Sequence, residues 1–277
     1  MEKFTSASLR GDYSQADAQY VVAQNWPYYT SEQHALWRQL FTRQEQLLPG
    51  RACTAFIDSL QQLDAAHAIP NFEHVSDALS RSTGWVLVAV PGLIPDQIFF
   101  EHLAHRRFPV TVWLREPAEF DYIVEPDVFH DFFGHVPLLF NTIFADHLQE
   151  YGKGGLKALQ LDGLTQLARL YWYTIEFGLL KTADGVRAYG AGLMSSGGEL
   201  DYSVNSPIPH RLRFDVQRVM RTEYKIDAYQ QSYFVIDDFA QLFADTAPDF
   251  TPYYAQLKNA PTLAADALLP GEVDLIR

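Results

Sequence analysis

Glu125-Pro126-Asp127-Val128-Phe129-His130-Asp131-Phe132-Phe133-Gly134-His135-Val136-Pro137 is the stretch on which the reading of the whole chain turns. Asp127 or a neighbour caps a helix there, and Pro137 obliges it to stop. The two histidines on it stand five residues apart, which is not the i, i+4 pair of a zinc protease. On a regular helix they diverge by about 140°, so both reach one ion only from a helix end or bend. Gly134 and Pro137 supply that end. Taken alone, the pair is equally well explained as two partly buried histidines.

Downstream, Leu170-Tyr171-Trp172-Tyr173-Thr174-Ile175-Glu176-Phe177-Gly178-Leu179-Leu180 is apolar nearly all round and so reads as a buried helix with one carboxylate inside it. An unpaired buried carboxylate is costly. Glu176 therefore meets either a basic side chain such as Arg169, as a structural pair in a helical binding module, or a cation. Two imidazoles and a carboxylate are the donor set that binds Fe(II) on one face and leaves positions open for dioxygen. Zinc competes for the same donors, in a hydrolase that would recruit Asp131 or Glu125 as general base.

Working outward, residues 1–23 are polar and without period, which predicts a loosely held arm. Thr30 and Gln33 form a capping box ahead of Leu36, Leu40 and Leu47, and Pro49-Gly50 ends that helix. A second helix runs from Cys53 to about Ala65, and His67 to Phe72 is loop. Trp85 to Val90 and Val110 to Leu114 are short buried strands, separated by a helix from Pro95 to about Arg107. Asn141 caps a helix to about Tyr151, and Asp162 caps one running to Gly178. Tyr189-Gly190-Ala191-Gly192 with Ser195-Ser196-Gly197-Gly198 is a tight turn region and not a phosphate loop, since no Gly-Lys-Ser/Thr follows. Tyr233 to Ile236 is one more strand or the start of the last helix. The layout is a single α+β domain over residues 24–250, predominantly helical with a small sheet, and a tail over 251–277.

Composition narrows the function. The 277 residues are 48% hydrophobic and carry a formal net charge of -13, which argues against nucleic acid or an anionic membrane as partner. One cysteine, Cys53, excludes an intramolecular disulfide framework and suits a reducing compartment. No apolar run reaches the roughly 18 residues of a membrane span, and Arg10, Asp12 and Gln15 stand where a signal peptide is apolar. The expectation is a cytoplasmic protein acting on a small molecule.

The Glu125–Pro137 block, the Tyr171–Leu179 run and Tyr189-Gly190-Ala191-Gly192-Leu193-Met194-Ser195-Ser196 together resemble the pterin-dependent aromatic amino acid hydroxylases. Ile69-Pro70, Glu73, Val75-Ser76, Thr83-Gly84 and Pro91-Gly92-Leu93 extend the likeness, which spans about Trp26 to Phe239. The resemblance implies that family's catalytic-domain fold and 4-monooxygenation of L-phenylalanine to L-tyrosine, in phenylalanine catabolism. It also implies Fe(II), a tetrahydropterin such as tetrahydrobiopterin, and dioxygen as co-substrate. Residue by residue, His130, His135 and Glu176 fall on the iron ligands. Phe99 falls on the ring that stacks on the pterin, Gly92, Leu93 and Ile94 on the backbone lining it, with Asp131, Ala168 and Tyr171 nearby. Arg115 falls where the substrate carboxylate binds, and Pro126, Trp172 and Phe177 on the walls around the substrate ring. Ser195 falls on a hydroxyl near the substrate and His130.

Ile123 departs from the threonine of animal phenylalanine hydroxylases. Ile226 matches a position apolar in phenylalanine hydroxylases and acidic in tyrosine hydroxylases, with Asp227 beside it. Only 129 residues precede His130, and no heptad run follows Phe250, so the resemblance implies a monomer without the regulatory domain and tetramer-forming helix of the animal enzymes.

Overall fold

Thr30 accepts the Gln33 backbone N–H at 3.2 Å while the Gln33 side chain accepts the Thr30 N–H at 2.9 Å. Helix α1 (Ser31–Leu47) therefore begins where the capping box places it. It belongs to a computed structural model that describes residues 9–246 and 250–275. Helix α2 (Thr54–Leu60) starts after Cys53 but stops five residues short of Ala65. Beyond Leu60 the chain tightens into i→i+3 turns, and the Trp37 indole draws the Ala65 carbonyl to 2.7 Å. Helix α3 (Phe72–Ser82), which the sequence reading left out, is capped by Asn71 and buries Phe72 and Leu79.

Strand β1 (Val86–Val90), helix α4 (Asp96–Ala104) and strand β2 (Arg107–Thr111) follow, and the two strands pair in parallel with Val86 opposite Arg107. The second strand lies three residues before its expected place at Val110–Leu114. Arg106 causes the shift, because it takes a left-handed φ of 54° and is tied to Thr83, Gln149 and Asp146, ending α4 early.

A π-wound turn, π1 (His130–His135), leads to helix α5 (Thr142–Gln160), capped by Asn141 as expected but nine residues longer than its expected end at Tyr151. Asp162 does not cap the next helix. It sits at φ 57° and terminates α5, and helix α6 (Leu164–Tyr171) begins after Gly163 and passes into a second π turn, π2 (Trp172–Glu176). Strands β3 (Leu179–Thr182) and β4 (Gly185–Ala188) form a hairpin. The first part of the Gly-rich stretch is a short helix, α7 (Ala191–Ser195), and the expected tight turn is confined to Gly197-Gly198, ahead of α8 (Glu199–Asn205).

Strand β5 (His210–Arg213), helix α9 (Val216–Arg221) and strand β6 (Ser232–Ile236) complete a four-stranded sheet in the order β4-β3-β6-β5. Helices α10 (Phe239–Thr246) and α11 (Thr251–Leu257) close the chain.

The described part of the N-terminal arm is held and not loose. Val22 donates its N–H to Ala89 at 2.9 Å, and the Tyr13 hydroxyl donates to the Leu93 carbonyl at 3.0 Å. Residues 1–8 of the arm lie outside the described residues. The segment after 250 is likewise bound to the body: Leu263 exchanges backbone hydrogen bonds with Arg221 and Glu223, and the buried Arg218 pairs with Glu272 at 2.6 Å.

The glycines of α5 show how closely its neighbours approach. A Cβ on Gly152 would stand 2.4 Å from the Ala104 backbone nitrogen, whereas one on Gly154 would meet only the Phe250 ring at 3.5 Å. Helix propensity favours alanine at both by about 1 kcal/mol, and overpacking costs about 1–3 kcal/mol at the first alone. In urea unfolding, Gly154→Ala is expected to stabilise the chain and Gly152→Ala to destabilise it.

Candidate metal centre and active site

Hydrogen bonds of a π winding run from i to i+5, so the residue five places on returns to the same face. That winding sets His130 and His135 side by side, ring centroids 5.2 Å apart and nearly perpendicular. The regular-helix reading needed a helix end at Gly134 and Pro137 to unite them. In the structure the turn itself does so. Glu176 closes π2, where the Phe177 N–H reaches the Trp172 carbonyl at 2.8 Å in the same i→i+5 pattern.

Packing explains why π1 holds its place. Phe129 and Phe133 stack at 5.0 Å and turn into the core against Trp37 and Phe41 of α1, each 5.2 Å from its partner ring. Asp127 accepts the His130 N–H at 3.0 Å and binds Arg115 through both carboxylate oxygens, at 2.8 and 2.9 Å. Helix α7 wedges between the two π turns. A Cβ on Gly134 would lie 2.8 Å from the Ala191 carbonyl, and one on Gly190 2.3 Å from the Glu176 carbonyl.

Proton counting orients the His130 ring. The Ser195 hydroxyl donates its single proton to the Ala191 carbonyl at 2.9 Å, so toward His130 Nδ1, also at 2.9 Å, it can only accept. Nδ1 therefore carries a proton, and Nε2 lies on the Glu176 side of the ring, 3.6 Å from Oε2. His135 Nε2 stands 3.2 Å from the other oxygen, Oε1. Two imidazole nitrogens and a carboxylate meeting at one point are a donor set that fits a divalent metal ion. Burial would raise the Glu176 carboxyl, but His135, His130 and the Tyr171 hydroxyl bring it below its usual range.

Asp131 also lies within ligand distance of both histidines. One of its oxygens is already engaged by the Thr111 N–H at 2.8 Å, and burial holds its carboxyl above the usual aspartate range. Both oxygens of Glu176 face the histidine nitrogens, so it offers a third ligand beside Asp131. Arg169 does not pair with Glu176. It donates to the Met220 carbonyl at 3.2 Å, which removes the ion-pair reading.

The remaining expected residues take the following places in the fold. Phe99 meets Tyr171 edge-on at 5.9 Å, and Tyr171 lies 6.4 Å from the His135 ring. Trp172 and Phe177 are 4.8 Å apart. Ala168 lines a cavity of about 280 Å³ with Thr165, Arg169, Glu223 and Tyr224. Gly92 takes a φ of 156°, with Leu93 and Ile94 half-buried after it, and Pro126 is half-buried between Glu125 and Asp127. Arg115, expected at a substrate carboxylate, is 4% exposed, with its Nε and one terminal nitrogen committed to Asp127.

Several contributors escaped the sequence reading. Arg10 gives its backbone N–H to Glu125 at 3.2 Å, and Tyr13 braces the Gly92–Leu93 segment from a stretch with no periodic signal. Asp127 was legible as a cap but not as the partner of Arg115. Gln230, which accepts the Trp172 indole N–H at 3.0 Å, carried no signal.

Burial alone would raise Asp127, yet the hydrogen bonds and charge of Arg115 hold it below the usual aspartate range. A depressed carboxyl adds stability that is fully present above about pH 4 and is lost as pH falls through the lower folded value. Asp127→Ala leaves Arg115 buried and unpaired, which is expected to cost about 3–5 kcal/mol in denaturant unfolding at pH 7. The variant should also lose less stability than the parent on acidification below pH 4.

Residues 6–267 match the biopterin-dependent aromatic amino acid hydroxylases as a family. The phenylalanine-4-hydroxylase of Ralstonia nicotianae is 55% identical over 248 residues, 89% of this chain and 79% of that protein. The phenylalanine-4-hydroxylase of Chromobacterium violaceum is 54% identical over 257 residues, 92% of this chain and 86% of that one. The crystal structure of the C. violaceum enzyme with iron and phenylalanine bound superposes with a TM-score of 0.89 at 53% identity, covering 94% of this chain and 95% of that one. The hydrolase reading falls with these likenesses, and this chain belongs to the biopterin-dependent aromatic amino acid hydroxylase family.

Proposed function

We propose that the chain converts L-phenylalanine to L-tyrosine with dioxygen and a tetrahydropterin, at an Fe(II) held by His130, His135 and Glu176. The observation that carries this is the convergence of two histidine Nε2 atoms on the two oxygens of Glu176, at 3.6 and 3.2 Å. The 45–55% identical phenylalanine-4-hydroxylases from five bacteria support the substrate, and the iron-bound relative supports the metal. Fe(II) and the tetrahydropterin, when bound, supply the electrons and the activation of dioxygen that put one oxygen atom on the aromatic ring.

The chain's own side chains orient and exclude water. Ser195 and Asp127 fix His130, one at the ring and one at its backbone, so the imidazole presents Nε2 without reorganising. Phe108, 5.1 Å from the His135 ring, and Tyr171 wall the centre off from solvent. Phe99 offers its ring to the pterin, with Gly92, Leu93 and Ile94 lining it and Asp131, Ala168 and Tyr171 beside it. Asp127 holds Arg115 as a cation in place, and its guanidinium takes the substrate carboxylate. Pro126, Trp172 and Phe177 form the slot for the substrate ring. Ile226, whose backbone carbonyl accepts the Tyr122 hydroxyl at 3.2 Å, is apolar, in keeping with phenylalanine over tyrosine.

The setting we infer is a cytoplasmic monomer. No helix among the described residues is long and apolar enough to cross a membrane.

With Fe(II) and a tetrahydropterin, the chain is expected to make tyrosine from phenylalanine. Glu176→Ala should lower the rate by at least about 100-fold, since a bound metal supplies several kcal/mol. Chromatography of the product decides the matter: pterin-dependent tyrosine from the parent alone upholds the proposal, and absence of tyrosine with every pterin overturns it. Chelation of the loaded protein should lower Tm, by the equivalent of about 2.7 kcal/mol when the metal stood at 100 times its Kd. Ser195→Ala frees the His130 ring and is expected to weaken metal binding about 10–100-fold, read by competition with a chromophoric chelator.

A further inference from the structure

We propose that Glu199 is a positioning residue for the substrate pocket, acting through Gln230 on the indole of Trp172; the inference rests on the reading of Trp172 as a wall of that pocket. Glu199 is 6% exposed at the start of α8, and no cation pairs with it among the described residues. Its Oε1 accepts two hydrogen bonds, from the Gln230 backbone N–H at 2.8 Å and from the Tyr233 hydroxyl at 2.8 Å. Burial pushes its carboxyl up to about 7. A carboxyl group kept in such a place is expensive, and a core needing only volume would hold an apolar side chain there.

What it secures is Gln230, itself 2% exposed. The Gln230 side-chain oxygen accepts the Trp172 indole N–H at 3.0 Å, and its amide nitrogen donates to the carbonyls of Lys225 at 2.8 Å and Ala228 at 3.3 Å. One amide thus ties the indole to the loop before β6. From the head of that loop Tyr224 stacks on the indole, 4.3 Å away and within 15° of parallel, while Phe177 meets it at 4.8 Å. Stacking sets the plane of the indole but leaves it free to slide and turn within that plane. The single hydrogen bond to Gln230 removes that freedom, and Glu199 fixes where Gln230 stands.

The placement also joins the two halves of the site. Glu199 follows Ser195 by four residues, and Ser195 holds the His130 ring at 2.9 Å. Gln44 of α1 clamps the segment that carries both, donating to the carbonyls of Met194 at 2.5 Å and Ser196 at 3.1 Å. One short stretch therefore sets the metal-side histidine at one end and the substrate wall at the other.

The test compares Fe(II)-loaded parent, Glu199→Ala, Glu199→Gln and Gln230→Met in phenylalanine and pterin titrations. Loss of one orienting hydrogen bond predicts that Glu199→Ala raises the phenylalanine KM about tenfold, with kcat changed less and the pterin KM unmoved. Glu199→Gln keeps an acceptor oxygen for both donors and should restore the parent KM. The double variant Glu199→Ala/Gln230→Met should be no worse than Gln230→Met alone, because the two residues act in series.

A second readout needs no turnover. In the nitrogen–proton spectrum of the full chain, which has five tryptophans, Glu199→Ala should move the Trp172 indole signal, identified through Trp172→Phe, and leave the other four in place. Movement of that signal in Glu199→Ala, with a parent that makes no tyrosine, would sink the hydroxylase reading and leave the network standing. An unmoved Trp172 signal, or all five moving together with a lower Tm and equal losses in both KM values, overturns the proposal. Should Glu199→Ala not fold, Tyr233→Phe removes one of the two donors and is expected to shift the Trp172 signal in the same sense and raise the phenylalanine KM about twofold to threefold; no shift there also overturns it.

Discussion

Two imidazole nitrogens and a carboxylate converge on one point, a donor set that suits a shared divalent cation. The rest of this structure reads as the means of enforcing it. Both π turns trade regular winding for a placement that an α-helix cannot offer, and each carries its ligand at a defined place: the histidines at the two ends of π1, Glu176 at the end of π2. The aromatic packing of Phe129 and Phe133 against α1 and the wedge of α7 between the turns supply the packing that keeps the irregular winding in place.

Around that point the polar groups are arranged in ranks. Ser195 holds the Nδ1 side of the His130 ring, Asp127 holds a backbone N–H and an arginine together, and Glu199 holds an amide that holds an indole. Each of these groups is buried, and a buried polar group is costly unless its bonds are complete. The site thus rests on a network whose members are satisfied by one another, and loss of one leaves its partner stranded in a low-dielectric interior.

The N-terminal arm and the C-terminal segment take part in the same economy of contacts. Tyr13 and Arg10 reach the Gly92–Leu93 turn and Glu125, so a stretch without hydrophobic period braces one rim of the site. Leu263, Ala265 and Glu272 fasten the strands and helix that carry Tyr224 and Gln230. The boundary expected at residue 250 separates segments in sequence but not in contact.

Local signals were sufficient wherever a short-range rule decides the outcome. The Thr30–Gln33 box, the Asn141 cap, the strand at Val86–Val90 and the apolar run leading to Glu176 were all legible, because capping and apolar patterning act within a few residues. The family resemblance went further and pointed to the family to which the chain belongs. Tertiary packing decided the rest. It made Asp162 a left-handed terminator instead of a cap, moved the second strand forward to Arg107 by tying down Arg106, and wound the Gly190–Ser195 stretch into a helix against both π turns. It also closed the distance between His130 and His135, since a π turn survives only where its neighbours hold it, and no window of sequence contains those neighbours.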